Sequence, residues 1–320
     1  HRPVLRPSEL LAAIGDHRPD VIFNFCEGLG GDSRLEVTAA WLLERLKLPF
    51  TGSPFFALRH CLYKVEANHI LARAGVRVPA TLRVDSPDHI PGVIFPVIVK
   101  PEREDGSMGI DRMSVVHDRR RLREQVAEVI EVYKQPAVVQ RYINGREIAI
   151  SLLGWPSPRV LPLGEIAFGD LPEGHPRILT FDAKWKTDTV ECTETASVAA
   201  VLRPLDVRRV AAIGRRAFEV LGLRDYGRVD VRLDERGNPF VIDVNPNCDL
   251  SADGGFSRAA ARTGIGYGEL LWEILRCALR RSDRASDMLG SRGRSRRTLA
   301  ASRGALGQSS LANDSAASTL

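Results

Sequence analysis

Apolar positions recur along this chain with two periods, and segments of the two kinds alternate. VIFNF (21–25) is a short apolar run closed by a glycine-rich turn, which predicts a strand. Residues 34–47 predict a helix that ends before a TGSP turn at 51–54, and residues 56–74 predict a second helix closed by Gly75. PVIVK (96–100) and AVVQRYI (137–143) predict strands on either side of a charged helix over 118–133, and EIAISLL (147–153) predicts another strand. Over 206–221, Val207, Val210, Ala211, Ala217, Phe218 and Leu221 share one helical face, with Asp206 as the expected N-cap and Gly222 as the stop. RVDVRL (228–233), a DERGN turn and PFVIDVN (239–245) then predict a hairpin.

This alternation, over 320 residues, predicts an α/β architecture of more than one domain. No internal repeat is present, and no apolar run reaches the length of a membrane span. The chain begins with His1 rather than Met, which leaves a preceding segment open. Residues from 282 onward are rich in Ser, Arg, Gly and Ala and predict a disordered tail, because they bury too little apolar area to offset their ordering entropy. Residues 281–320 hold seven Arg and three Asp, a surplus of +4 out of a net +5, so the rest of the chain is nearly neutral. The basicity therefore belongs to the tail, which argues against a nucleic-acid-binding face on the fold. Five scattered cysteines without a CxxC pair argue against a disulfide framework or a cysteine zinc site and fit reduced thiols in the cytoplasm.

The hairpin carries the strongest chemical signal. Arg228, Asp230 and Arg232 share one face of the first strand, opposite Val229, Val231 and Leu233. On the second strand, simple alternation sets Asp243 and Asn245 opposite to Phe240, Ile242 and Val244. A turn centred on 236–237 places Asp230 across from Asp243 and Arg228 across from Asn245. Facing carboxylates destabilise a sheet unless a cation lies between them, and hard oxygen ligands without His or Cys suit Mg²⁺. A solvated polar face with arginine pairing is the rival account. Lys100 ends a strand beside Gly106-Ser107-Met108-Gly109, a flexible loop whose N–H groups and hydroxyl suit phosphate oxygens. VVQRYINGREIAI (138–150) offers a strand edge at Gln140–Ile143 and a carboxylate at Glu147 for a nucleoside, although a plain strand–turn–strand reads equally well. GLGGDS (28–33) reads as an ordinary turn or a substrate loop, and Cys248 as a packed thiol rather than a nucleophile.

Taken together, TGSP, Lys64, VKP…GSMGI, QRYINGREIAI, FDAKW, GRVDVRLD and FVIDVNPN resemble the ATP-grasp superfamily and, within it, D-alanine–D-alanine ligases, over roughly 19–275. The resemblance implies a partial N-terminal α/β domain (1–62), a small ATP-grasp subdomain (63–141) and a large one (142–281), with the nucleotide between their sheets. It implies that Lys64 and Lys100 contact ATP phosphates and that Ser107 lies in the loop closing over them. It implies an adenine-binding connector at Gln140, Arg141 and Ile143, and a ribose carboxylate at Glu147. Lys184 and Trp185 match a mobile loop over the γ-phosphate, and Arg228 matches the arginine that stabilises the tetrahedral intermediate. Asp230, Asp243 and Asn245 match the ligands of Mg²⁺, with Mn²⁺ as the alternative ion.

The chain also departs from the family pattern. Gln140 stands where Glu is usual, Asp243 where Glu is common and Trp185 where Tyr is usual. Residues 246–255 read PNCDLSADGG where the family usually supplies a Pro-Gly turn and a serine for the acceptor carboxylate, and the family's first strand and glycine-rich loop, with a Glu that holds an amine, are absent from the start of the chain. These changes strike substrate recognition more than ATP handling. The implied activity is ATP-dependent amide or peptide bond formation between small-molecule carboxylate and amine substrates through an acyl phosphate. A non-amino-acid acceptor and a catalytically inactive nucleotide-binding module are the alternatives. The family's dimers suggest a homodimer.

Overall fold

The computed structural model describes residues 6–282, so the expected tail beyond them lies outside the described residues. A compact unit that ends at Ala278 carries the elements below, apart from the final residues of the last helix. It opens with four helices, α1 (Pro7–His17), α2 (Glu36–Arg45), α3 (Phe55–Leu62) and α4 (Lys64–Arg73). A four-stranded antiparallel sheet follows, from β1 (Thr81–Val84), β2 (Val97–Pro101), β3 (Val115–Val116) and β4 (Ala137–Arg141), in the order β1-β4-β2-β3. Helix α5 (Arg119–Tyr133) covers it, setting Leu122, Val126 and Val129 against Val97, Val99 and Val139.

The larger sheet contains β5 (Glu147–Gly154), β6 (Arg159–Val160), β7 (Gly164–Phe168), β8 (Thr195–Ala199), β9 (Asp225–Leu233) and β10 (Pro239–Asn245). Its order is β10-β9-β5-β7-β8, with β6 pairing β5, and every pairing is antiparallel. Short helices α6 (Phe181–Trp185) and α7 (Val190–Thr193) lie between β7 and β8. Helix α8 (Pro204–Val220) precedes β9, α9 (Gly255–Ala261) follows β10, and a last helix begins at residue 267.

Alternation explains why this sheet has one apolar and one chemical face. Ile148, Ile150 and Leu152 of β5, Val229, Val231 and Leu233 of β9, and Val241 and Val244 of β10 pack with Val210, Ala217 and Phe218 of α8. Full burial of each large aliphatic side chain contributes about 2 kcal/mol. Residues of the other parity are left to face the smaller sheet's side: Glu147, Arg228, Asp230 and Arg232 among them.

Four expectations need correction. VIFNF is extended but pairs only through a single bridge, Ile22 to Phe50, because its edge meets no further partner among the described residues. The helix expected over 56–74 is two helices, broken at Tyr63, whose backbone leaves the helical region at φ −92°, ψ 89°. The Tyr63 ring is flanked by the guanidinium groups of Arg59 and Arg103, at 5.2 and 5.8 Å. Asp206 is not an N-cap: the helix starts one turn earlier with Pro204, and Asp206 pairs with Arg203 at 2.7 Å inside the first turn.

The fourth correction concerns β10. Near the turn, Phe240 faces Arg232 and Val241 faces Val231; beyond Ile242, Asp243 faces Asp230, Val244 faces Val229 and Asn245 faces Arg228. The expected pairs are present, but a β-bulge at Ile242 produces them. Phe240 therefore shares a face with Asp243 instead of opposing it.

Gly145, in the connector from β4 to β5, has no room for a side chain: a Cβ there would meet the Leu233 carbonyl. Gly145→Ala must displace backbone, and we expect a loss of about 2 kcal/mol in stability, read as a lower urea midpoint at unchanged m-value.

Candidate active site

Three elements bring lysines to the chemical face of the larger sheet. The break at Tyr63 makes Lys64 the first residue of α4, and its backbone N–H approaches the Glu102 carbonyl at 3.5 Å. Its ammonium donates to the Glu104 carbonyl at 2.6 Å and lies 3.5 Å from the Asp105 carboxylate. Lys100, buried on β2, donates to the carbonyl of the bulge residue Ile242 at 3.3 Å. That bond links the two sheets. Lys184 is carried by α6, which Thr180 caps through its hydroxyl, 3.0 Å from the Ala183 N–H.

Asp243 stands at the centre of these cations. Burial works against its carboxylate, but Lys64, Lys100, Arg228 and Lys184 together hold its pKa below the ordinary value. Burial likewise opposes the Lys64 ammonium, and Asp243 and Asp105 outweigh it, so Lys64 stays firmly charged. Lys100 and Lys184 are pulled the other way, by burial first and then by Lys64 and Arg228 respectively. Arg228 forms a two-pronged ion pair with Asp230, at 2.8 and 2.9 Å, which raises its pKa further. Glu147 lies opposite Arg232 on the neighbouring strand, 3.8 Å from its guanidinium; burial raises its pKa despite that partner. Asn245 accepts the Asn247 N–H through its side-chain oxygen at 3.1 Å.

The two loops that flank the cluster are latched together. Trp185 donates its indole N–H to the Gly106 carbonyl at 3.0 Å, and the Phe181 N–H donates to Ile110 at 2.8 Å. Gly106, Ser107 and Gly109 all have left-handed backbone, at φ 63°, 64° and 73°. At Gly109 a side chain would also strike the Pro101 ring, so glycine is required there.

The connector residues stand apart from the charge cluster. Gln140 is buried, and its amide donates to the Thr81 hydroxyl at 3.0 Å, inside the smaller sheet. Arg141 is exposed at the end of β4, with its N–H given to the Ala80 carbonyl at 2.8 Å, and Ile143 is buried beyond it.

The donor set fits a magnesium ion. Asp243 and Asp230 are paired across the strands with Asn245 two residues on, and among the described residues no protein donor hydrogen-bonds the Asp243 carboxylate. Among the described residues no three His, Cys, Asp or Glu side chains gather as a complete metal cage. Two carboxylates and an amide are the small donor set of an ion that completes its shell with phosphates and water.

The description "D-ala D-ala ligase C-terminus" matches residues 85–276. The chain belongs to the D-alanine–D-alanine ligase family. A protein of Sinorhizobium fredii called y4sG is 34% identical over 82% of this chain and 75% of its own length. The D-alanine–D-alanine ligase of Methylococcus capsulatus is 31% identical, covering 83% of this chain and 81% of its own. The crystal structure of the Bacillus anthracis D-alanine–D-alanine ligase complexed with ATP shares the fold, with a TM-score of 0.69, 22% identity and coverage of 88% and 85% of the two chains. The chain is thus an ATP-grasp ligase that uses ATP, and an inactive module is not favoured. No helix among the described residues is long and apolar enough to cross a membrane.

Sequence reasoning gave no site role to Arg232, Asn247, Glu27 or Glu36. Arg232 is almost fully buried, donates to the Gly145 and Arg177 carbonyls at 2.9 and 2.6 Å, and lies 4.8 Å from the Tyr142 ring centre. Asn247 accepts the Tyr226 hydroxyl at 2.6 Å and donates to the Cys26 carbonyl at 2.9 Å, tying the segment after Asn245 to the loop before Glu27. Cys248 is packed: burial pushes its thiol up to about 12, which removes the thiolate a nucleophile needs. Glu27 and Glu36 flank the glycine-rich stretch 28–33, and only that stretch drew attention in the sequence.

Burial first, then Asp105 and Glu27, push the Glu36 pKa up to about 8. An unfolded chain releases that proton near the ordinary 4.5, whereas the folded chain keeps it to about pH 8. Stability therefore falls as pH rises between those values, by at most about 1.4 kcal/mol per pH unit from this group. Urea titrations from pH 5 to 8 should show that decline, and Glu36→Gln should flatten it.

Proposed function

We propose that this chain joins a carboxylate to an amine through an acyl phosphate, with ATP as the phosphoryl donor. The observation that carries the reading is Asp243, held ionised among Lys64, Lys100, Lys184 and Arg228, where the two sheets are joined by the Lys100–Ile242 bond. In the proposed reaction a carboxylate oxygen attacks the γ-phosphorus and ADP leaves. The amine then attacks the acyl carbon, and the tetrahedral intermediate collapses with loss of phosphate and a proton.

Lys64 and Lys100 receive the triphosphate, and Lys184 approaches the transferring group from α6. Their charge is fixed in place before the reaction, so it stabilises the developing negative charge without reorganisation. Arg228 faces the oxyanion of the second step. Asp230, Asp243 and Asn245 would hold Mg²⁺, or Mn²⁺ in its place, and that ion supplies charge neutralisation at the phosphates. Gln140 and Arg141, whose backbone is engaged in the smaller sheet, bring the connector with Ile143 to the adenine, and Glu147, steadied by Arg232, meets the ribose. Ser107 and Trp185 belong to the latched loops, which keep water from the acyl phosphate.

The division into 1–62, 63–141 and 142–281 is part of this proposal, with the nucleotide between the two sheets. So are a cytoplasmic location and a homodimer, which rest on the family's habits. D-alanine is the first substrate to test as both acid and amine, because the Methylococcus capsulatus relative is named for it.

Release of phosphate from ATP and Mg²⁺ with paired D- and L-amino acids tests the reading. Acceptor-dependent release is expected; none with any pair would remove the ligase assignment. Asp243→Ala should lower turnover by about 10³-fold or more. Trp185→Ala should open the latch, lower coupled turnover by about tenfold and raise the share of ATP hydrolysed without product, measured as phosphate against amide formed.

A further inference from the structure

Arg232 ends the row of charged residues on the chemical face of β9, and its side chain is almost fully buried. Separate segments of the chain meet on it. Its Nη2 donates to the Gly145 carbonyl at 2.9 Å and to the Arg177 carbonyl at 2.6 Å. Its guanidinium carbon lies 4.8 Å from the Tyr142 ring centre, and Nη1 lies 3.8 Å from the Glu147 carboxylate on β5. Nε is closed to solvent without a hydrogen-bond partner among the described residues. A packed apolar side chain would stabilise this position better, because a buried guanidinium recovers its desolvation cost only through full pairing. The charge is therefore kept for something other than stability.

The partners say what that is. Tyr142 and Gly145 belong to the connector between β4 and β5. Glu147 is paired with Arg232 by charge alone, since 3.8 Å is beyond hydrogen-bond reach, and no group among the described residues hydrogen-bonds its carboxylate. Its lone pairs are thus left to the hydroxyls of a ligand. Arg177 lies just before Thr180, the cap of α6, so its carbonyl stands at the root of the loop that carries Lys184. Lys184 is also among the cations that lower the Glu147 pKa, which sets that loop and Glu147 close together.

We infer that Arg232 is a positioning residue that couples ribose recognition to the seating of the Lys184 loop, orienting Glu147 for a ribose hydroxyl while anchoring the loop's root at the Arg177 carbonyl. This rests on the proposed nucleotide site and adds to it a residue that acts through Glu147 and Arg177. A hydroxyl bound to Glu147 fixes the carboxylate that faces Arg232, and the guanidinium so held keeps its Nη2 on Arg177. By linkage, a seated loop strengthens ribose binding in return. The two duties use different properties of the side chain. Its charge serves Glu147, and its forked donors serve the carbonyls, so lysine can replace the first and not the second.

The test reads binding alone and needs no turnover. Calorimetry of the full chain with Mg²⁺ compares ATP with 2′-deoxy-ATP and 3′-deoxy-ATP, and trypsin cleavage after Lys184 and Lys186 reads the loop. The unaltered enzyme should bind at least one deoxy nucleotide about tenfold more weakly than ATP, as loss of a hydrogen bond to a charged acceptor requires. ATP should also protect the loop better than that analogue does. Arg232→Met should reduce the preference to about threefold or less and abolish the extra protection, a non-additive effect of variant and analogue. Arg232→Lys should restore the preference without the protection, and a cooperative thermal transition confirms that each variant is folded. If Arg232→Met does not fold, that split in Arg232→Lys decides alone. An Arg232→Met variant that weakens all three nucleotides equally, or an Arg232→Lys variant with full protection, would overturn the coupling. An unaltered enzyme that binds all three equally would remove the ribose role of Glu147 and the coupling with it, while acceptor-dependent phosphate release still decides the ligase reading.

Discussion

The β-bulge at Ile242 decides which way Asp243 and Asn245 point. Up to Val241 the strand alternates in step with β9, and unbroken alternation would set Asp243 against Val229, under α8. One additional residue shifts the register, so Asp243 meets Asp230 on the opposite face. The displaced carbonyl of Ile242 then accepts the Lys100 ammonium. A single irregularity thus aims the acidic groups and ties the smaller sheet's lysine to them.

Charge balance in the cleft follows from that placement. Asp243 stays ionised despite burial because four cations surround it, and those cations tolerate one another because Asp243, Asp105 and Asp230 lie between them. Replacing water by fixed opposite charges is how a closed site stabilises a reacting phosphate without reorganising. The Trp185–Gly106 bond ties together the loops that carry Lys184 and Ser107. The donor in that bond is the Trp185 indole N–H.

Much of this was legible in the sequence. The period-two runs of β5 and β9 showed both faces of the large sheet, and the facing of Asp230 with Asp243 could be read from the turn. The bulge that achieves it could not, because parity alone has no signal for an inserted residue. The break at Tyr63 was equally hidden, because residues 55–73 keep helical spacing on both sides of it. Strands β7 and β8 are half-buried and weakly patterned, and were missed for that reason. Glu36 carries no sequence pattern that sets it apart from other acids; the fold encloses its Oε1.

The central claim is that the phosphoryl group passes to a substrate carboxylate held among Lys64, Lys100, Lys184 and Asp243. Oxygen-isotope transfer tests it most directly. With the alanine that supports turnover labelled with ¹⁸O in its carboxylate, the account predicts that each phosphate released alongside amide carries one ¹⁸O. Amide formed with unlabelled phosphate, or with AMP and pyrophosphate in place of ADP and phosphate, would contradict it.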